Sequence, residues 1–170
     1  YNQVKTYAED LKILQDLIVL ELNNNVFFNP LHKPNLKPQI LANRLKTILL
    51  LFSENNTESY WLDKAEEVLT ECIKLCRLYN NGYVTFLELH KLITIPNYYK
   101  EKIGTLRNLF ISSKFNNKQI YELNASLNFF QKEFENLDPR TKAILISEIT
   151  RITNVFISDY DVMTTFCPPI

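Results

Sequence analysis

Residues 60–79 read Tyr-Trp-Leu-Asp-Lys-Ala-Glu-Glu-Val-Leu-Thr-Glu-Cys-Ile-Lys-Leu-Cys-Arg-Leu-Tyr. Trp61, Ala65, Val68, Cys72, Cys76 and Tyr79 recur at steps of three and four, which is one stripe of an α-helix. Asp63, Glu67, Thr70, Lys74 and Arg77 form the opposing stripe, while Leu62, Leu69, Ile73 and Leu75 widen the apolar side. A helix apolar over so much of its circumference has to be enclosed by other elements, leaving a narrow wet back. It holds the only Trp and two of the three Cys. It is read as the central core helix, and nothing on it has a catalytic pattern.

The remaining chain supplies the elements to enclose it. Residues 3–16 look helical, with Ala8, Leu11, Ile13 and Leu14 as their buried side. Residues 17–22 are β-branched and apolar and predict a short strand; 23–25 turn, and 26–28 predict a second extended piece. One or two strands make no stable sheet alone, so these belong to a sheet whose other strands lie elsewhere. Residues 29–34 are irregular because each residue before a Pro is pushed away from helix. Pro38 opens a helix to about Ser53 with Leu41, Leu45, Ile48 and Phe52 inward. Residues 53–58 form a polar loop, and Ser59 can cap the central helix. Asn80-Asn81-Gly82 ends that helix in a left-handed turn. Thr85 and Glu88 stand at capping-box spacing and start a short helix that Pro96 ends.

The next helix, about 97–112, turns Tyr99, Ile103, Leu106 and Phe110 inward; Gly104 within it suggests close approach of another helix. From Asn117, the residues Ile120, Leu123, Leu127, Phe130, Phe134 and Leu137 form an a/d-type seam. Asp138-Pro139 caps and opens a helix to about Phe156 that buries Leu145, Ile149, Ile152 and Phe156. Ser158-Asp159 cap a last short turn that Cys167-Pro168-Pro169 stops. The expected fold is therefore mainly α, a compact bundle of about seven helices with one short N-terminal strand segment.

With 170 residues the chain is large enough for one domain with a real core, and 46% apolar composition is globular. It starts at Tyr1 without a basic and apolar leader and reads as a piece of something longer. Its apolar runs are too short to span a bilayer. Two Gly in total exclude a glycine-rich phosphate loop. Three Cys at these spacings build neither a disulfide framework nor a zinc site and are read as core thiols of a reducing cytoplasm. His32 beside Lys33 reads as a loop residue, and His90 on a short helix has no Cys or acid at ligand spacing. Glu66, Glu67 and Glu71 read as a solvated face, and Asp159 with Asp161 as caps rather than a cation site. No nucleophile–base arrangement can be argued, so this piece by itself is expected to have no enzymatic activity, no cofactor and no metal.

One charged feature stands out. The chain has 19 basic and 19 acidic residues, but residues 80–118 carry Lys91, Lys100, Lys102, Arg107, Lys114 and Lys118 against only Glu88 and Glu101. Lys100, Arg107 and Lys114 are seven apart and share a helix face, with Lys102 and Lys118 beside them. Tyr98 and Tyr99 could offer stacking surfaces to single-stranded bases. This face is the candidate nucleic-acid or partner site.

The order of motifs resembles a known family. Leu20-Glu21-Leu22 precedes the aromatic-Asn-Pro-Leu motif Phe28-Asn29-Pro30-Leu31. Leu41-Ala42-Asn43-Arg44-Leu45 follows, then Tyr60-Trp61-Leu62-Asp63-Lys64-Ala65, and finally Phe156-Ile157-Ser158-Asp159 before an apolar-rich tail. Over essentially its whole length the chain resembles the type IV secretion coupling proteins, the ATPases of conjugative DNA transfer. There an all-α domain is inserted into a RecA-like nucleotide-binding domain. The resemblance implies that residues 1–35 border the nucleotide-binding domain, 36–158 are the all-α domain and 159–170 return toward the nucleotide-binding domain. Both ATPase motifs are absent from this chain, so ATP and Mg are expected only in the parent protein.

The implied role is recognition of the relaxase–DNA complex for transfer, with the relaxase, accessory relaxosome proteins and single-stranded DNA as partners. The parent would be a hexamer at the cytoplasmic face of the bacterial inner membrane, and the isolated domain a cytoplasmic monomer. The alternative is a stand-alone helical adaptor that binds another protein through the Ile120–Leu137 seam.

Overall fold

The computed structural model describes residues 1–22, 26–52, 59–111 and 115–169. Among them are eight α-helices: α1 (Asn2–Asp10), α2 (Pro38–Phe52), α3 (Ser59–Tyr79), α4 (Phe86–Thr94), α5 (Tyr98–Ile111), α6 (Asn117–Asn128), α7 (Pro139–Ile157) and α8 (Tyr160–Phe166). A 3-10 turn (Leu14–Asp16) follows α1, and α6 runs on into a π-helical turn (Phe129–Phe134). The residues from α2 to α8 make a helical bundle around one core. No helix among the described residues is long and apolar enough to cross a membrane.

Helix α3 lies at the centre, packed against α2, α4, α5, α6 and α7. Its buried set is Leu62, Ala65, Val68, Leu69, Cys72, Ile73, Leu75 and Cys76. Each large side chain there contributes about 1.5–3 kcal/mol over its exposed state. The wet back carries ion pairs. Lys46 of α2 reaches Asp63 at 2.5 Å and Glu66 at 2.7 Å, Lys64 reaches Glu67 at 2.6 Å, and Lys74 reaches Glu71 at 2.6 Å. Thr70, expected on this back, is buried; its hydroxyl donates to the Glu66 carbonyl at 2.8 Å, which removes the desolvation penalty.

Local signals set the helix ends. Thr85 caps α4, its Oγ1 accepting from the Glu88 N–H. The reciprocal half of that capping box is missing, because the Glu88 carboxylate turns elsewhere. A complete capping box does open α6, where Asn116 and Gln119 satisfy each other's backbone N–H groups. Asp138 caps α7 with Pro139 at its first position, and Asp159 caps α8. Asn81 and Gly82 have positive φ at the end of α3, and the Gly82 N–H returns to the Arg77 carbonyl at 2.8 Å.

Several expectations are corrected. No strand forms among the described residues: 17–22 and 26–28 are irregular, because no neighbouring chain offers a ladder of hydrogen bonds. Ile18, Leu20 and Leu22 are exposed. Gly104 meets no close neighbour; a Cβ there would find open space. Phe110, expected inward, is 43% exposed in the last turn of α5. On α2, Leu41 and Leu45 are buried as expected, but Ile48 is 38% and Phe52 62% exposed. The expected turn at 23–25 and the polar loop at 53–58 lie outside the described residues.

The π turn re-aims the α6 seam. The Glu135 N–H bonds the Phe130 carbonyl at 3.1 Å, five residues back, so Phe129, Phe130 and Phe134 all face the core. Their rings meet one another, and Phe130 stacks on Tyr99 at 4.9 Å.

The segments leading into and out of the bundle lie side by side. The Phe28 N–H donates to the Thr165 carbonyl at 2.9 Å, and the Phe28 ring meets Phe166 edge-on at 6.5 Å. Asn29 anchors this junction, its Nδ2 donating to the Val84 carbonyl at 2.8 Å while its Oδ1 accepts from the Leu31 N–H at 3.0 Å. Leu31 is buried. The aromatic-Asn-Pro-Leu motif is thus the clasp between the incoming chain, the α3–α4 turn and α8.

Candidate nucleic-acid and partner interface

Helix α5 presents the basic face. It is held by a polar network around Glu88 of α4. Tyr79 of α3 and Tyr98 of α5 both donate their hydroxyls to Glu88 Oε2, at 2.8 and 2.9 Å, and Lys91 reaches Oε1 at 3.2 Å. Burial alone would raise the Glu88 carboxyl, but Tyr79, Tyr98 and Lys91 outweigh it and hold it below the usual carboxylate range. Burial, with the nearby Glu88 charge, pushes both phenols up. Lys102 lies over the Tyr98 ring at 4.7 Å and the Tyr79 ring at 5.5 Å, a cation–π clamp that closes the network from outside. One carboxylate thereby fixes α3, α4 and α5 to one another.

The structure divides the candidate residues. Tyr99 is 4% exposed and stacks on Phe130, so neither face is open to a base. Its place in the inward stripe of α5 prevails over its reading as a stacking platform. Tyr98 is half-buried and its ring is covered by Lys102. Lys100 is paired with Glu135 at 2.6 Å, and the ammonium in turn holds the Glu135 carboxyl below its usual range. Lys102 is also 3.6 Å from Glu101. Arg107 is exposed and has no ion pair among the described residues. Lys114 lies outside them. Lys118 is not part of the α5 face: it lines a cleft of about 240 Å³ with Lys37, Lys74, Arg77 and Glu122. Arg77 closes that cleft, donating to the Leu36 carbonyl at 2.7 Å and the Lys33 carbonyl at 2.9 Å.

Among the described residues the cations thus fall on two faces: Lys100 and Arg107 on α5, and Lys37 before α2, Lys74 and Arg77 on α3 and Lys118 on α6, where Lys74 is paired with Glu71 at 2.6 Å and Lys118 with Glu122 at 4.0 Å. Sequence reading missed the second because its members are scattered from residue 37 to 118; the Lys37-Pro38 helix start was its only local signal. It missed the Glu88 network because Glu88 was assigned to the cap.

The other chemical candidates resolve into structure. Cys72, Cys76 and Cys167 are buried free thiols; burial pushes Cys76 up to about 12 and raises the other two. His90 Nδ1 is 2.9 Å from the Thr153 hydroxyl, and burial lowers its pKa. Among the described residues no group of three or more His, Cys, Asp or Glu side chains is placed to hold a metal. Comparison with protein families, with curated proteins and with solved structures returns no match.

Proposed function

We propose that this chain is the all-α, substrate-recognition domain of a type IV coupling protein, which recruits the relaxase–DNA complex to the secretion channel for conjugative transfer. The observation that carries the reading is the junction of Phe28 with Thr165 and Phe166. A domain inserted into another must return its chain close to where it left, and the incoming and outgoing segments here are one hydrogen bond apart. Phe28, Asn29 and Leu31, on the incoming side of the junction, are among the residues that carry the resemblance. The exposed apolar side chains of residues 18–22 suit a strand that completes its ladder in a neighbouring α/β lobe.

In this reading ATP and Mg belong to that lobe, in a hexameric parent at the cytoplasmic face of the inner membrane. The helical domain contributes contacts to the relaxase, its accessory proteins and the transferred single strand. The adaptor alternative loses its main support, since Leu123, Phe130 and Phe134 of the Ile120–Leu137 seam are buried in the chain's own core.

The test is binding of labelled single-stranded DNA and of the cognate relaxase to the purified chain. DNA affinity is expected to be weak and to fall linearly on a log–log plot as salt is raised, as counterion release requires. Arg107→Ala and Lys118→Ala should each flatten that slope. Absence of DNA binding at low salt removes the strand contact, and failure to retain the relaxase as well removes the whole reading.

A further inference from the structure

A groove of about 300 Å³ lies between α2, α7 and the segment that follows the clasp. Its apolar wall is built by Leu41, Leu45, Ile48 and Phe52 of α2, faced by Val155 and Phe156 of α7. The α2 residues continue one helical stripe through three turns, roughly 16 Å at 1.5 Å per residue. Such a stripe ordinarily ends in a core, yet here its C-terminal half stays in water: Ile48 and Phe52 are exposed, as is Val155 of α7 opposite them.

Among the described residues the charges that line the groove have one sign: Lys33 and Arg44 border it, no acidic residue lines it, and neither cation has an ion pair. Arg151 stands at the Phe52 end, where it donates to the Phe52 carbonyl at 2.6 Å and meets Glu148 at 3.2 Å. A two-fold pairing of this face with a second copy would set one cationic rim against the other, because an isologous interface uses the same patch twice. An apolar trough whose exposed walls, Ile48, Phe52 and Val155, stand over the buried Leu41 and Leu45 is a geometry that receives the apolar anchors of an amphipathic helix at i and i+3 or i+4.

We propose that this groove docks an amphipathic helix of a partner protein, apolar on one face and flanked by Asp or Glu. That the partner is a protein component of the transferred substrate rests on the proposed function; the chemistry of the groove does not.

The test uses fluorescence polarisation with two labelled helical peptides that share a Leu stripe at i, i+4, i+7 and i+11, one flanked by Glu and the other by Lys. The Glu peptide is expected to bind at least about tenfold more tightly, since like charges across an interface are strongly disfavoured. Arg44→Glu, an exposed change that leaves one charge of each sign on the lining, should abolish the preference for the Glu peptide without altering the melting curve, and Ile48→Glu should abolish binding of both peptides. Equal binding of the two peptides, no binding of either, or an unchanged preference in Arg44→Glu overturns the proposal. A dimer in sedimentation that Ile48→Glu dissociates also overturns it, by making a second copy the occupant. Peptide binding without capture of the relaxase would uphold the groove and count against the proposed function alone.

Discussion

Glu88 supports a prediction whose size follows from its surroundings. Its Oε2 accepts two tyrosine hydroxyls, one of them from Tyr79, which is partly buried against the core. Hydrogen bonds to a charged group contribute about 1.5–3 kcal/mol each, so Glu88→Ala, which removes both and strands the Tyr79 hydroxyl, should cost roughly 3–6 kcal/mol. The Lys91 pair adds little, as partly exposed ion pairs do. That loss is a large part of the about 5–15 kcal/mol that holds a domain folded. For a chain of this length it corresponds to a fall in Tm of about 6–24 °C. Tyr79→Phe removes the donor together with its need for a partner and should cost less than Glu88→Ala. Urea unfolding followed by far-ultraviolet circular dichroism, run as a Tyr79→Phe/Glu88→Ala cycle, should give a coupling of at least about 1 kcal/mol. The sign with pH is also fixed. A carboxyl held below its usual 4.5 stabilises the fold above that pH, and the contribution disappears as pH falls through the lowered value. Wild type and Glu88→Gln should therefore converge in stability on acidification below pH 4.5. Coupling near zero, or Tyr79→Phe costing more than Glu88→Ala, would refute the account.

Three further outcomes are expected. Phe130→Ala, at the centre of the aromatic cluster, should cost about 3–5 kcal/mol in urea unfolding, while Phe110→Ala on the exposed end of α5 should cost well under half of that. Native protein should leave Cys72, Cys76 and Cys167 unreactive toward a thiol reagent at neutral pH, with all three titrating once urea unfolds the chain, because the thiolate is the reactive form. Burial lowers the His90 pKa from its usual 6.5, so the unfolded chain takes up its proton first and stability falls as pH drops below 6.5. Unfolding of His90→Gln measured across that range should lack this component of the slope.

What the sequence made legible was whatever depends on local chemistry. The periodicity of residues 60–79 identified the central helix, and Thr85, Asp138-Pro139 and Asn81-Gly82 marked boundaries found in the structure, because caps and left-handed turns are settled within a few residues. Tertiary choices were not legible. The spacing of Thr85 and Glu88 is that of a capping box, but two distant tyrosines compete for the same carboxylate and win it. Tyr99 has the neighbours of a stacking residue and the phase of a core residue, and the phase decides. Residues 17–22 have strand-like composition, and a strand exists only where another chain segment lies alongside. Ile48 and Phe52 continue an inward pattern beyond the reach of the helices that would cover them. The candidate basic stripe was legible only as a list of lysines, since pairing with Glu135 or clamping over Tyr98 depends on which helix lies opposite.

The clasp at Phe28 and Thr165 also has a mechanical consequence. A body joined to another through two segments one hydrogen bond apart would have a narrow neck, which transmits pull along its axis but has a short lever arm against bending. Asn29 and the buried Leu31 tie the clasp to the bundle, and the Glu88 network and the aromatic cluster stiffen the rest, so a small rotation applied at Phe28 would carry the α5 face and the α2 groove through a common arc. Any domain joined through these two segments would therefore swing both surfaces together, as a crane turns its jib and hook about one pivot.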